Sequence, residues 1–201
     1  MAWATGDYTT LAAVKRRIGN EAGTDDDALI EDLITEQSRW IDTYCGRKFY
    51  RFEETRSYHA VEDVLGDVLE LDEDLIGVIT LTNGDSEVIP ASAYVLLEAN
   101  FTPKWAVQLL SSSGYSWDYG DDPEEAISLN GTWGYYNGTM PEKPLQHATE
   151  RLVAWKYYQR SAPFETMGLP DMGKVIIPTA IPVDIKTSLE PFRRHSFGDG
   201  F

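Results

Sequence analysis

Apolar residues change their spacing twice along this chain, and that double switch constrains its fold more than any other feature. Near the start, Thr9-Thr10 precede Leu11, Val14 and Ile18, with Lys15-Arg16-Arg17 in the last turn and Gly19 just beyond. Cap, spacing, dipole-matched cations and terminal glycine agree on a short helix. Thr24-Asp25-Asp26-Asp27 then offers a cap and an acidic first turn for a helix of about five turns stopping at Gly46. Apolar Leu29, Ile30, Leu33, Ile34, Trp40, Ile41 and Tyr44 oppose Glu31, Asp32, Thr35, Glu36 and Arg39. The stripe must pack on something, so Leu33→Ala is expected to cost on the order of 2–5 kcal/mol.

From residue 51 to 139 the pattern becomes β-like, with runs at Thr55–His59, Val68–Leu71, Val78–Thr82, Tyr94–Leu97, Ala106–Leu110 and Ile127–Leu129. Asn83-Gly84, between Val78–Thr82 and Glu87–Ile89, is the strongest hairpin signal. A small antiparallel sheet follows from these runs. Ser111–Glu125, with Gly114, Gly120, Pro123 and five acidic residues, is too long and polar for a tight turn and reads as a projecting loop. Its aromatics Tyr115, Trp117 and Tyr119 are candidates for outward contacts.

Helical spacing returns after Pro141 and Pro144 with Leu145, Ala148, Leu152 and Trp155, and the helix should end near Arg160. Residues 161–181 hold Pro163, Pro170 and Pro178 and read as an extended connection; Pro182–Leu189 permits a last short helix stopped by Pro191. The expected class is therefore α+β: a small helical bundle built from both chain ends, residues 1–50 and 140–201, with an antiparallel β module, residues 51–139 with the loop 111–125, inserted between them. Leu29, Leu33, Trp40, Ile41, Tyr44, Leu145, Leu152 and Trp155 are its expected helical core.

A chain of 201 residues, 42% hydrophobic and 25% charged, can bury a full core without staples. Cys45 is alone, which excludes an internal disulfide, and the opening MAWATGDYTT lacks the basic and apolar regions of a signal peptide, so a reducing cytoplasmic setting is expected. Seventeen basic against thirty-three acidic residues give a net charge of −16, the opposite of what phosphate-neutralising binders need. The excess is either an ordinary solvated surface or one that repels a polyanion passing nearby.

Catalytic patterns fail one by one. His147-Ala148-Thr149-Glu150 begins like an inverted zincin motif but continues with Arg151 where histidine is required. His59, His147 and His195 are scattered, so no zinc site is expected. Gly114-Tyr115-Ser116-Trp117-Asp118 lacks the final glycine of a nucleophile elbow. Cys45 sits at a helix C-terminus, where the dipole disfavours a thiolate. Neither the Walker pattern nor GxGxxG occurs. Asp72-Glu73-Asp74 and Asp118–Glu125 read as solvated acidic loops rather than calcium loops, and the sequons at Asn100, Asn130 and Asn137 as turns. No cofactor, metal or membrane partner is expected. Two other readings stay open: a carbohydrate-binding module using Trp105, Tyr115, Trp117, Tyr119, Trp133, Tyr135 and Tyr136, and a hydrolase around His147.

Four segments carry a resemblance. They are Tyr8-Thr9-Thr10-Leu11; Asp25–Leu29 running to Ile41-Asp42-Thr43-Tyr44-Cys45-Gly46-Arg47-Lys48-Phe49; Leu129-Asn130-Gly131-Thr132-Trp133-Gly134-Tyr135 before Pro141; and Leu189-Glu190-Pro191-Phe192-Arg193-Arg194. In this order, with Asp85–Leu97 between them, the chain resembles the head-tail connector, or adaptor, proteins of tailed double-stranded-DNA phages. The resemblance implies a structural virion protein of the neck and no enzyme. It implies a ring of identical subunits, typically a dodecamer, assembled in the host cytoplasm, that docks under the portal protein and extends the DNA exit channel. It further implies a platform for a tail-completion, stopper or terminator protein, with double-stranded DNA passing through transiently. The C-terminal segment is the portal-facing element in such proteins, which makes Leu189, Pro191, Phe192, Arg193 and Arg194 the docking candidates.

Overall fold

A computed structural model describes residues 6–21, 23–136, 141–160, 167–169, 173–175 and 180–194. The fold is α+β, in two compact units: Met1–Gly46 with Met140–Phe201, and Arg47–Thr139 between them in sequence.

In the first unit, α1 (Leu11–Ile18) starts where the Thr10 hydroxyl accepts from the Ala13 N–H and stops at Gly19, whose φ of 74° is left-handed. Helix α2 (Asp27–Cys45) ends at Gly46 in the same way, and α3 (Lys143–Gln159) carries Pro144 in its first turn. Val14, Ile30, Ile34 and Val153 interlock the three, with Leu11, Ile18, Leu33 and Tyr157 packed around them. Lys15 is buried against Asp27 at 2.7 Å.

The buried face of α2 corrects the expected stripe. It consists of Ile30, Ile34, Gln37, Ser38, Ile41 and Cys45, while Leu29 is 39% exposed and Leu33, Trp40 and Tyr44 are half-buried. The buried face shares Ile30, Ile34 and Ile41 with the purely apolar reading but is centred about 60° away from it around the helix. Polar Gln37 and Ser38 hid that face in the pattern. Ser38 is buried at no cost in hydrogen bonding, since its Oγ donates to the Ile34 carbonyl at 2.7 Å and accepts from the Tyr8 N–H at 3.1 Å. From α3, Leu145 and Leu152 are fully buried and Trp155 is half-buried. Ile41→Ala should therefore cost about 2–5 kcal/mol and Leu33→Ala less than half of that, a ranking that denaturant titration of the two variants checks.

Pro182 precedes α4 (Val183–Leu189), which buries Ile185 and Leu189. Pro191 does not stop the chain's winding; it sits inside a 3-10 turn, Glu190–Phe192, which needs no N–H there. Of the connection 161–181, the described backbone includes a short hairpin of β7 (Met167–Leu169) and β8 (Gly173–Val175).

The second unit is an antiparallel sheet in the order β1-β6-β3-β5-β4, with β2 (Val64–Leu65) folded onto β3. Its strands are β1 (Phe52–Tyr58), β3 (Val68–Thr82), β4 (Tyr94–Leu97), β5 (Lys104–Leu109) and β6 (Ile127–Trp133). Leu69, Leu75, Leu81, Val107, Leu109, Ile127, Leu129 and Trp133 form the core. Two expectations change here. Asp72-Glu73-Asp74 is not a solvated loop but the middle of β3, which joins the two runs read separately and shifts register between Glu70 and Leu75. Glu73 and Asp74 are buried because Lys48, Arg56 and Arg47 neutralise them, at 4.0, 3.6 and 3.5 Å. Likewise Asn130-Gly131-Thr132 is strand, not turn: Gly131 faces Glu54 on one side and Val78 on the other.

The Asn83-Gly84 turn forms, closed by Asn83 N–H to the Glu87 carbonyl at 2.8 Å and Ile89 N–H to the Leu81 carbonyl at 2.9 Å. Its return strand is reduced to the bridge between Thr82 and Val88.

Candidate interaction surfaces

The loop Ser111–Glu125 lies down on its own sheet rather than projecting from it. Asn83, buried in the hairpin turn, donates through Nδ2 to the Ser116 carbonyl at 2.9 Å and accepts from the Asp118 N–H at 3.1 Å. Gly84 donates to the Asp118 carbonyl at 3.0 Å, an approach only glycine allows, since a Cβ there would fall 2.2 Å from that oxygen. Farther along, the Ala60 N–H reaches the Pro123 carbonyl at 2.9 Å. Tyr115 and Trp117 pack against the sheet core, Trp117 donating to the Asp67 carbonyl at 3.0 Å, so both are anchors rather than outward contacts. Tyr119 is 42% exposed. Trp133 is fully buried and donates to the Glu54 carbonyl at 2.8 Å, so that ring is core and offers no face for stacking a sugar.

The C-terminal candidates separate in the same way. Leu189 is fully buried in the helical unit, which corrects its assignment as a docking residue: the last turn of α4 uses it as core. Pro191 and Arg193 are exposed, Phe192 and Arg194 half-buried. The segment is fastened to the end of α2. Arg194 N–H donates to the Cys45 carbonyl at 2.7 Å, Tyr44 OH donates to Glu190 at 3.2 Å, and Arg193 pairs with Glu190 while lying over the Tyr44 ring at 5.5 Å. Trp40 stacks on Tyr44 at 5.0 Å and extends that patch. Sequence reading overlooked this clamp, because only the fold brings residue 44 beside residue 190. Phe197, Phe201 and His195 lie outside the described residues.

A second clamp holds α3 to the start of α2. Arg160 donates to both carboxylate oxygens of Asp26 at 2.7 Å, and Tyr157 OH donates to one of them at 2.6 Å. This engagement explains why Asp26 does not cap α2 with its side chain. Hydrogen bonds from Arg160 and then Tyr157 hold the Asp26 carboxyl down to about 2, below its ordinary 3.8. A depressed carboxyl contributes stability above its unfolded value and loses it as pH falls through the folded one. Asp26→Asn should accordingly be less stable than the parent above pH about 4, the difference closing as pH approaches 2, in melts run across that window.

His147 is exposed on α3, and among the described residues no group of three or more His, Cys, Asp or Glu side chains could hold a metal ion. No helix among them is long and apolar enough to cross a membrane.

Charge is distributed unevenly. Of the cations whose side chains are described, Arg16 and Lys186 alone meet no acid, hydrogen-bond acceptor or aromatic ring within the chain. Meanwhile Asp25, Glu31, Asp32 and Glu36 on the helical unit and Asp121, Asp122 and Glu125 on the loop are exposed without a cation. The negative excess is thus turned outward, while nearly every positive group is consumed internally.

Helices from both ends of the chain and an antiparallel sheet carried between them define an α+β fold that other solved structures share. No protein-family model and no curated protein matches the chain. It is similar to a chain in the neck of an empty gene transfer agent particle computed with C6 symmetry, at 14% identity and TM-score 0.62, over 100% of this chain and 95% of that one. A chain of the virion of a native gene transfer agent particle matches at 15% identity and TM-score 0.59, over 98% and 94%. A chain in the neck of the native particle computed with C12 symmetry matches at 15% and 0.52, over 96% and 97%. At such identities the likeness establishes the fold.

Proposed function

We propose that this chain is a structural neck protein of a tailed-phage-like particle, a head-tail adaptor rather than an enzyme. Identical copies form a ring, twelve in number, that docks under the portal protein. The ring extends the channel through which double-stranded DNA leaves and offers a platform to a tail-completion, stopper or terminator protein. It is assembled in the host cytoplasm and resides in the virion. The observation that carries this reading is that the match to neck chains runs end to end in both directions, bundle, inserted sheet and C-terminal helix together. A shared sheet alone would say far less.

The electrostatics support it. Twelve copies at −16 give a ring of about −190, and with two unengaged described cations per copy there is little to hold a phosphate. DNA then slides past without being gripped. Pro191 and Arg193, exposed at the end of the clamp on α2, are the portal-docking residues in this reading, and Tyr119 on the strapped loop is a contact for the tail-side protein.

The test is electron microscopy of the protein mixed with portal-bearing, DNA-filled heads that lack it. A ring of density beneath the portal is expected. Its absence, with the protein recovered free, would overturn the adaptor reading. In parallel, affinity for duplex DNA should be weaker than micromolar at physiological salt; a submicromolar affinity with a steep salt slope would contradict the passive channel.

A further inference from the structure

Helix α2 carries a second apolar face that its own bundle leaves partly uncovered. At about 100° per residue, Leu29, Leu33 and Trp40 fall within about 40° of one another, with Glu36 in the same row and Asp32 beside it. The bundle core uses the neighbouring face, Ile30, Ile34 and Ile41. Leu29 is left 39% exposed and Leu33 and Trp40 half-buried, which is unusual for three large apolar groups aligned on one long helix. The row is edged by Asp32 and Glu36, exposed acids with no cation of their own.

Resting on the ring reading above, we propose that this row is the contact between neighbouring copies, and that its occupant is the outer face of α1 from the next copy, with Arg16 set against Asp32 and Glu36. Charge complementarity selects the occupant. In a chain that commits almost every described cation internally, Arg16 is exposed and unengaged, and it stands four residues after Ala12, also exposed. Ala12 and Arg16 share one side of α1, small enough at one point to let a helix approach and charged at the next. Lys186, the other unengaged cation, offers no such face: its neighbour at the same spacing, Pro182, lies before the helix begins. An arginine fork also suits two adjacent carboxylates better than an ammonium does. Because the two surfaces are different patches of one chain, every copy presents one of each, and the contact propagates head to tail until it closes into a ring.

The variants are Leu29→Glu, Glu36→Arg, Arg16→Glu and the pair Glu36→Arg with Arg16→Glu. All sit at exposed positions, so circular dichroism should show parental folding. Ring formation is read by sedimentation in solution and by the density beneath portals on heads. Each single variant should lower ring formation about tenfold or more, and the double charge swap should recover it to within about threefold of the parent. Single variants that assemble like the parent would overturn the surface while leaving the ring reading intact. A double swap no better than its components would overturn Arg16 as the occupant, and assembly halting at a symmetric dimer would overturn the head-to-tail geometry. If the parent itself forms no ring in solution or on heads, the ring reading fails first and this inference with it.

Discussion

Replacing Trp133 by alanine should cost the sheet unit about 3–5 kcal/mol, the range for a fully buried aromatic cut back to a methyl. Trp133 has no exposed surface, ends the inner strand β6, and stands opposite Phe52 on β1 and Leu75 on β3, so it fills the core where three strands meet. Its indole N–H donates to the Glu54 carbonyl at 2.8 Å, which leaves that acceptor short of a partner when the ring is removed. The Arg56 guanidinium lies over the ring at 5.1 Å while serving Glu54, Asp72 and Glu73, so the loss reaches the buried charges of β3. Trp133→Phe keeps most of the volume and none of the hydrogen bond, and should recover well over half of the loss. Denaturant titration followed by far-ultraviolet circular dichroism measures both variants; a cost below about 1 kcal/mol for alanine would mean the site collapses freely.

Truncation after Leu189 should abolish recruitment to DNA-filled heads while the helical unit stays folded. The reasons are separable. Leu189 and Ile185 remain, and they supply the buried surface of α4. What is lost is the Glu190, Arg193 and Arg194 clamp, whose exposed charge pairs are worth little to stability, with the apolar and basic groups that the proposed function turns toward the portal. Phe192→Ala and Arg193→Glu divide the apolar from the electrostatic part of that attachment. Cosedimentation with heads is the measurement. Should the truncated protein sediment with them as the parent does, attachment lies elsewhere, most directly on the inserted sheet.

The Gln37 and Ser38 positions show why the bundle's packing was misread although its helices were not. Caps, terminal glycines and the proline of a first turn act within a few residues, so α1, α2 and α3 could be placed from neighbours in the chain. Which side of α2 is buried depends on Tyr8, whose N–H satisfies Ser38 across 30 positions of sequence. No local rule contains that bond. Glu73 and Asp74 teach the same lesson for the sheet: an acidic triplet reads as solvent-facing until Arg47, Lys48 and Arg56 arrive from another strand and its approach.

Local chemistry in the amino-acid string thus set the class of this protein: helices at both ends, an antiparallel sheet between them, a charge of −16 that disfavours gripping DNA, and no motif for catalysis. The strapping of the 111–125 loop by Asn83, the burial of Leu189, the fastening of Glu190 to Tyr44 and the half-open apolar row of α2 came only with the assembled chain. The physical reason is the same in each case. These contacts join residues 33 to 146 positions apart, and burial, unlike helical or strand periodicity, is a property of what packs on a residue rather than of the residues beside it.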